Sequence, residues 1–110
     1  MIIDRDENLV IITREKAPIP QLVNNINQAY HKYKNNNIIV NISSINKLKL
    51  EDIVEFLMIS NKHRKSKRSF ILVTNQFDID ETPDEIVVVP TLQEAYDIIE
   101  MEEMERDLGF

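Results

Sequence analysis

Few residues in this 110-residue chain are of the types that carry out covalent chemistry, and their spacing does not favour it. There are two histidines, His31 and His63, and no cysteine. The chain therefore has no thiol nucleophile, no thiolate metal site and no disulfide framework. Neither histidine lies in a motif that would bring a serine and a carboxylate to it, so no Ser–His–Asp set is read here. His31, beside Lys32 and without a second ligand nearby, reads as a surface residue rather than a metal ligand. Asp78, Asp80, Glu81, Asp84 and Glu85 lack the mid-loop glycine and the D-x-D-x-D-G spacing of a calcium loop, and read as a solvated acidic connection. The sole glycine is Gly109. Phosphate-cradling loops need glycine for close backbone approach to the anion, so neither a P-loop nor a dinucleotide fingerprint exists. No catalytic residue, metal or cofactor is expected, and the chain reads as a non-enzyme.

The elements that would position any site follow from the apolar pattern. An apolar content of 43% suffices for one packed core, and the length allows a single domain over 1–110. Ile2-Ile3 and Leu9 to Thr13, separated by the polar Asp4 to Asn8, predict an N-terminal hairpin. Pro18 and Pro20 open a helix whose buried face is Leu22, Val23, Ile26, Ala29, Tyr30 and Tyr33, ended by Asn35 to Asn37. Ile38 to Ile42, Phe70 to Val73 and Ile86 to Val89 are short, nearly continuous apolar runs, as expected of strands covered on both faces. A helix is predicted from Leu50 to about Lys65, and a last one from Leu92 toward Arg106, entered through a Thr91–Glu94 capping box. Strands alternating with helices imply parallel pairing through crossover helices. No apolar run approaches the roughly 20 residues of a membrane span, and the first residues lack signal-peptide character, so a cytoplasmic location is expected. A net charge of −6 and a pI near 4.9 argue against general nucleic-acid binding.

This order of elements resembles that of the STAS (anti-sigma factor antagonist) family. Ile39-Val40-Asn41-Ile42-Ser43-Ser44-Ile45 is similar to the family's V-D-L-S-x-V strand, with Asn41 in place of the aspartate. Ile86 to Ala95, containing Val89-Pro90-Thr91-Leu92-Gln93-Glu94-Ala95, resembles its F-P-T-x-x-E-A entry into the last helix. The resemblance implies a STAS (SpoIIAA-like) α/β fold: a small mixed sheet of about five strands, with an N-terminal hairpin and crossover helices. It further implies a regulatory protein–protein interaction module, whose partner would be an anti-sigma kinase or another regulator.

With its acidic ending from Ile98 to Phe110, the chain also resembles small bacterial STAS-like proteins often encoded beside ribonuclease Z and sometimes given its name. That nuclease needs an H-x-H-x-D-H cluster, which two histidines cannot supply. An accessory or RNA-processing role beside such an enzyme stands as the alternative function. The family's phosphorylatable D-S-[ST]-G stretch falls on Lys49-Leu50-Glu51-Asp52, where both serines are missing. Glu51 there is either a permanent mimic of the phosphorylated state or an ordinary first-turn acid, and the second reading is the stronger. Asp4 and Asp6 match the acidic pair of a receiver domain only loosely. The strand that would present the acceptor aspartate ends in Asn41, whose amide cannot form an acyl phosphate. The short connection from Asn75 to Glu85 leaves little room for the family's third helix.

Two helices carry the candidate partner-binding residues. At about 100° per residue, Leu50, Ile53, Val54 and Leu57 form one face of the second helix, predicted to lie on the sheet. Phe56, Ile59 and His63 fall nearly opposite, predicting an exposed partner face flanked by Glu51, Asp52 and Glu55. On the last helix the stripe Leu92, Ala95, Tyr96 and Ile99 is continued by Glu102, Glu103 and Arg106. Met101, Met104 and Leu108 reappear on the other side. Residues 101–110 are thus expected to project as a helical extension with a Met-rich docking stripe. Lys62, Arg64, Lys65, Lys67 and Arg68 form a basic cluster that reads first as complement to a helix C-terminus. It would otherwise meet nucleic acid, or the acidic tail of a second copy in a homodimer.

Overall fold

The computed structural model describes residues 1–109. Five strands form one mixed sheet in sequential order: β1 (Ile2–Asp6), β2 (Leu9–Thr13), β3 (Asn37–Asn41), β4 (Phe70–Val73) and β5 (Val87–Val89). β1 and β2 are antiparallel, while β2–β3, β3–β4 and β4–β5 are all parallel. The hairpin is tighter than predicted. Asp4, Arg5 and Asp6 belong to β1, and the turn is Glu7-Asn8, with Glu7 left-handed at φ 50°.

The helices are α1 (Ile19–Ala29), α2 (Leu50–Val54), α3 (Leu57–Lys65) and α4 (Leu92–Asp107). Proline at the start of α1 removes an N–H that has no intrahelical partner in any case. Tyr30 to Lys32 tighten into a 3₁₀ turn, which carries the chain into β3. α4 starts at Thr91, whose Oγ accepts the Glu94 N–H at 3.2 Å. The predicted reciprocal bond takes a different form: the Thr91 hydroxyl donates to the Glu94 carboxylate instead of the Thr91 amide doing so. Between β4 and β5 there is a single 3₁₀ turn, Ile79–Glu81, capped by Asp78 accepting the Asp80 N–H at 2.9 Å.

Each sheet face has its own core. On one, Val10, Ile12, Ile38, Val40, Phe70, Leu72 and Val88 pack against α1, α2 and α3. On the other, Ile39, Ile71, Val73 and Val89 pack against Ala95 and Ile99 of α4. Strand alternation sends successive residues to opposite faces, so continuous runs such as Phe70-Ile71-Leu72-Val73 are what a doubly covered strand requires. β1, at the sheet edge, is exposed along its whole length.

The predicted second helix is not continuous. The Phe56 N–H bonds the Ile53 carbonyl at 3.1 Å, three residues back, and helical pairing resumes with Ser60 N–H on the Phe56 carbonyl at 2.9 Å. A 3₁₀ turn has about three residues per turn instead of 3.6, so the break resets the phase of everything after it.

Candidate interaction surface

That phase change corrects the predicted partner face. Phe56 and His63 are 0% exposed and Ile59 is 2% exposed, so all three are core. With Ile53 they run at i, i+3, i+6 and i+10 along the inner side of α2–α3. Phe56 and His63 both pack on Phe70. Leu50 and Val54, predicted to lie on the sheet, are instead exposed, and Met58 is 86% exposed. The outward apolar stripe is therefore Leu50, Val54 and Met58, at i, i+4 and i+8. Glu51 and Glu55 are exposed beside it, and Asp52 is half-buried. Asp52 closes the start of α2 by accepting the Lys49 N–H at 3.0 Å. Met58 also borders a groove between α1 and α3 that includes Val23, Asn27, Glu55, Ile59 and Lys62.

The loops entering this surface are tied down from below. Asn41 ends β3, and its side-chain oxygen accepts the Ser43 N–H at 3.0 Å, turning the chain sharply. Arg14, just after β2, donates to the Ala17 carbonyl at 2.8 Å and to the Ser44 hydroxyl at 3.1 Å. The two loops at the carboxyl ends of β2 and β3 thus share one clamp. Asp4 and Asp6 do not join it: through the sheet register Asp4 aligns with Ile39 in the middle of β3, and Asp6 with Asn37 at the opposite end from Asn41.

His63 has a structural role that the sequence did not reveal. Its Nε2–H donates to the Asn36 carbonyl at 2.6 Å, which leaves Nδ1 to accept the Tyr30 hydroxyl at 2.7 Å. Both nitrogens are satisfied by one neutral tautomer. Burial pushes its pKa below the ordinary 6.5. The Asn36 bond opposes that shift, and the nearby Arg68 charge adds to it.

The last helix is also corrected. Rather than projecting, its second half lies against the amino-terminal ends of β3 and β4. Glu102 accepts from Ser69 Oγ at 2.6 Å and from Arg64 at 2.9 Å. Glu103 accepts from Asn37 Nδ2 at 3.1 Å. Arg106 reaches Ser69 Oγ at 3.3 Å and Asn37 Oδ1 at 3.4 Å. Asn37 Oδ1 also accepts the Ser69 N–H at 2.9 Å, joining the two strand starts. Asn37 and Ser69 were not singled out from sequence. The available signal was the helical spacing of Glu102 and Arg106 after Ala95 and Ile99. Met101, Met104 and Leu108 are exposed as expected, and residue 110 lies outside the described residues.

Part of the basic cluster is engaged internally. Arg64 pairs with Glu102, and the Lys62 ammonium lies 4.6 Å from the Tyr30 ring centre. Among the described residues no group of three or more histidines and carboxylates is placed to hold a metal ion. Among them, too, no helix is long and apolar enough to cross a membrane.

Taken together, the sequential mixed sheet, the hairpin, the two helical crossovers on one face and the closing helix on the other define a STAS-like fold. The structure of RsbS from Moorella thermoacetica, in a serine-to-glutamate variant, superposes with a TM-score of 0.63 at 11% identity. The match covers 91% of this chain and 94% of that one. No protein-family model matches the sequence, and no curated protein does.

Proposed function

We propose that this chain is a non-enzymatic regulatory module resembling an anti-sigma factor antagonist. It binds a protein partner, an anti-sigma kinase or another regulator, through the outer face of α2–α3. The observation that carries this reading is the exposed stripe Leu50, Val54 and Met58, bordered by Glu51 and Glu55. Aliphatic and thioether side chains held outward on a helix gain by being covered, and flanking acids select the partner's charge. The RsbS-like fold supports the reading, because the helix after β3 is the one that faces the partner in proteins of the STAS family. Glu51, Asp52 and Glu55 stay in the proposed contact. Phe56, Ile59 and His63 leave it and act by holding α3 in place.

The contact is constitutive in this reading. Glu51 gives the first turn of α2 a fixed negative charge, and no serine stands at the position matching the family's phosphorylated one. The test is co-purification of the tagged chain from its own cells, beside a Val54→Asp/Met58→Asp variant. A kinase or other regulator recovered with the wild type and absent with the variant is the expected result. Recovery of RNA or a ribonuclease, unaffected by the substitutions, would replace this reading with the RNA-processing alternative.

A further inference from the structure

α4 presents a second surface, remote from α2–α3 in its composition. Its inner face is continuous: Leu92, Ala95, Ile99, Glu102 and Arg106 all turn to the sheet, apolar in the first half and polar in the second. Met101, Met104 and Leu108 then fall within an arc of about 60° on the outer face, at i, i+3 and i+7. They are 53%, 58% and 70% exposed. Exposed acids border that arc: Glu100 and Asp107 on one side, Glu105 on the other. The helix's one base, Arg106, is turned inward onto Ser69 and Asn37. No exposed cation on α4 offsets this charge.

We propose that the outer face of α4 is a docking site for a basic amphipathic helix of another protein. An apolar stripe of two methionines and a leucine accommodates varied aliphatic side chains, because thioether chains adapt their shape. The acidic border, offset only at its Asp107 end where Lys67 and Arg68 lie close by, selects Lys or Arg on the flanks of the incoming stripe. The same border disfavours a second copy paired α4 to α4, since the flanking carboxylates of the two helices would repel. The polar contacts to Asn37, Ser69 and Arg64 fix the helix on the sheet before any partner arrives, so the surface is preorganised. This site is independent of the one on α2–α3, and either can fail alone.

The test uses a synthetic 18-residue helical peptide with a leucine stripe flanked by lysines, titrated into the whole chain and followed by backbone NMR shifts. Shifts confined to residues 97–109 are expected, with affinity about tenfold weaker in Met101→Ser/Met104→Ser. Glu100→Gln/Glu105→Gln is expected to weaken binding and flatten its salt dependence. The proposal is overturned by shifts centred on α2–α3, by shifts scattered over all acidic surface, or by affinity unchanged by the methionine substitutions. A concentration-dependent dimer in sedimentation, lost in the methionine variant, would overturn it in favour of a second copy.

Discussion

α3 and α4 pack on opposite faces of one sheet and solve the same problem with opposite materials. The inner side of α3 is mostly hydrocarbon and aromatic, with two buried polar groups: His63, whose two nitrogens are both bonded, and Ser60, whose hydroxyl has no partner among the described residues. The inner side of α4 is hydrocarbon for two turns and then becomes a network of Glu102, Glu103, Arg106, Asn37 and Ser69. The difference follows from what each helix meets at its end. Both helices end near the strand starts, but α3 brings a single ring, His63, to the Asn36 carbonyl there, whereas the end of α4 meets Asn37 and Ser69, whose side chains need partners. Polarity therefore does not mark the outside of a helix in this protein, and an apolar residue does not mark the inside.

The largest effect that would break this comparison is at Phe56. Removing a buried phenylalanine side chain costs about 3–5 kcal/mol, and an unpaired carboxylate in its place costs more. Phe56→Asp is expected to abolish cooperative unfolding by circular dichroism. A folded variant would mean that Phe56 lies outside, as first read from the sequence. Glu102→Ala comes next. It leaves Ser69 and Arg64 without their acceptor, a loss of about 1–3 kcal/mol. Denaturant midpoints should fall, and amide exchange should quicken in residues 100–107 while α3 is unaffected. Uniform exchange along α4 would show that the polar half does not hold the helix.

How much of this was legible in the residues depended on whether one helical phase ran unbroken. In α1 it did, and Leu22, Val23 and Ile26 are buried as predicted, with Ala29 half-buried; Tyr30 and Tyr33 are buried too, though they lie in and just after the 3₁₀ turn. The apolar runs gave strands in the right order, and the fold resemblance drawn from the strand around Asn41 and the Thr91–Glu94 entry holds in three dimensions. Across Glu55–Phe56 the phase slips. Leu50 and Val54 therefore exchanged faces with Phe56, Ile59 and His63, and no glycine or proline marks the break. In α4 the phase was readable throughout. The error was to take Glu102 and Arg106 as the end of the inner face, because their partners lie some 33 and 37 residues earlier at Ser69.

The smallest expected effect sharpens the account of α3. The folded pKa of His63 is lowered, so between that value and the unfolded 6.5 the unfolded chain binds more protons than the native one. The stability due to the neutral ring is complete above pH 6.5 and is lost as pH falls through the folded value. Denaturant melts between pH 8 and 5 should show this decline, and His63→Gln should flatten it. An unchanged slope in that variant would place the titration elsewhere.

The most direct test of the central claim, that the partner surface is Leu50, Val54 and Met58 and not Phe56 and Ile59, is one paired measurement on Met58→Asp. Its thermal midpoint and its binding to the co-purified partner would be measured in the same preparation. A side chain already 86% exposed should be replaceable within about 0.5 kcal/mol of stability, while partner affinity falls at least tenfold. A variant that binds as tightly as the wild type, or one that loses its fold along with its binding, would contradict the account.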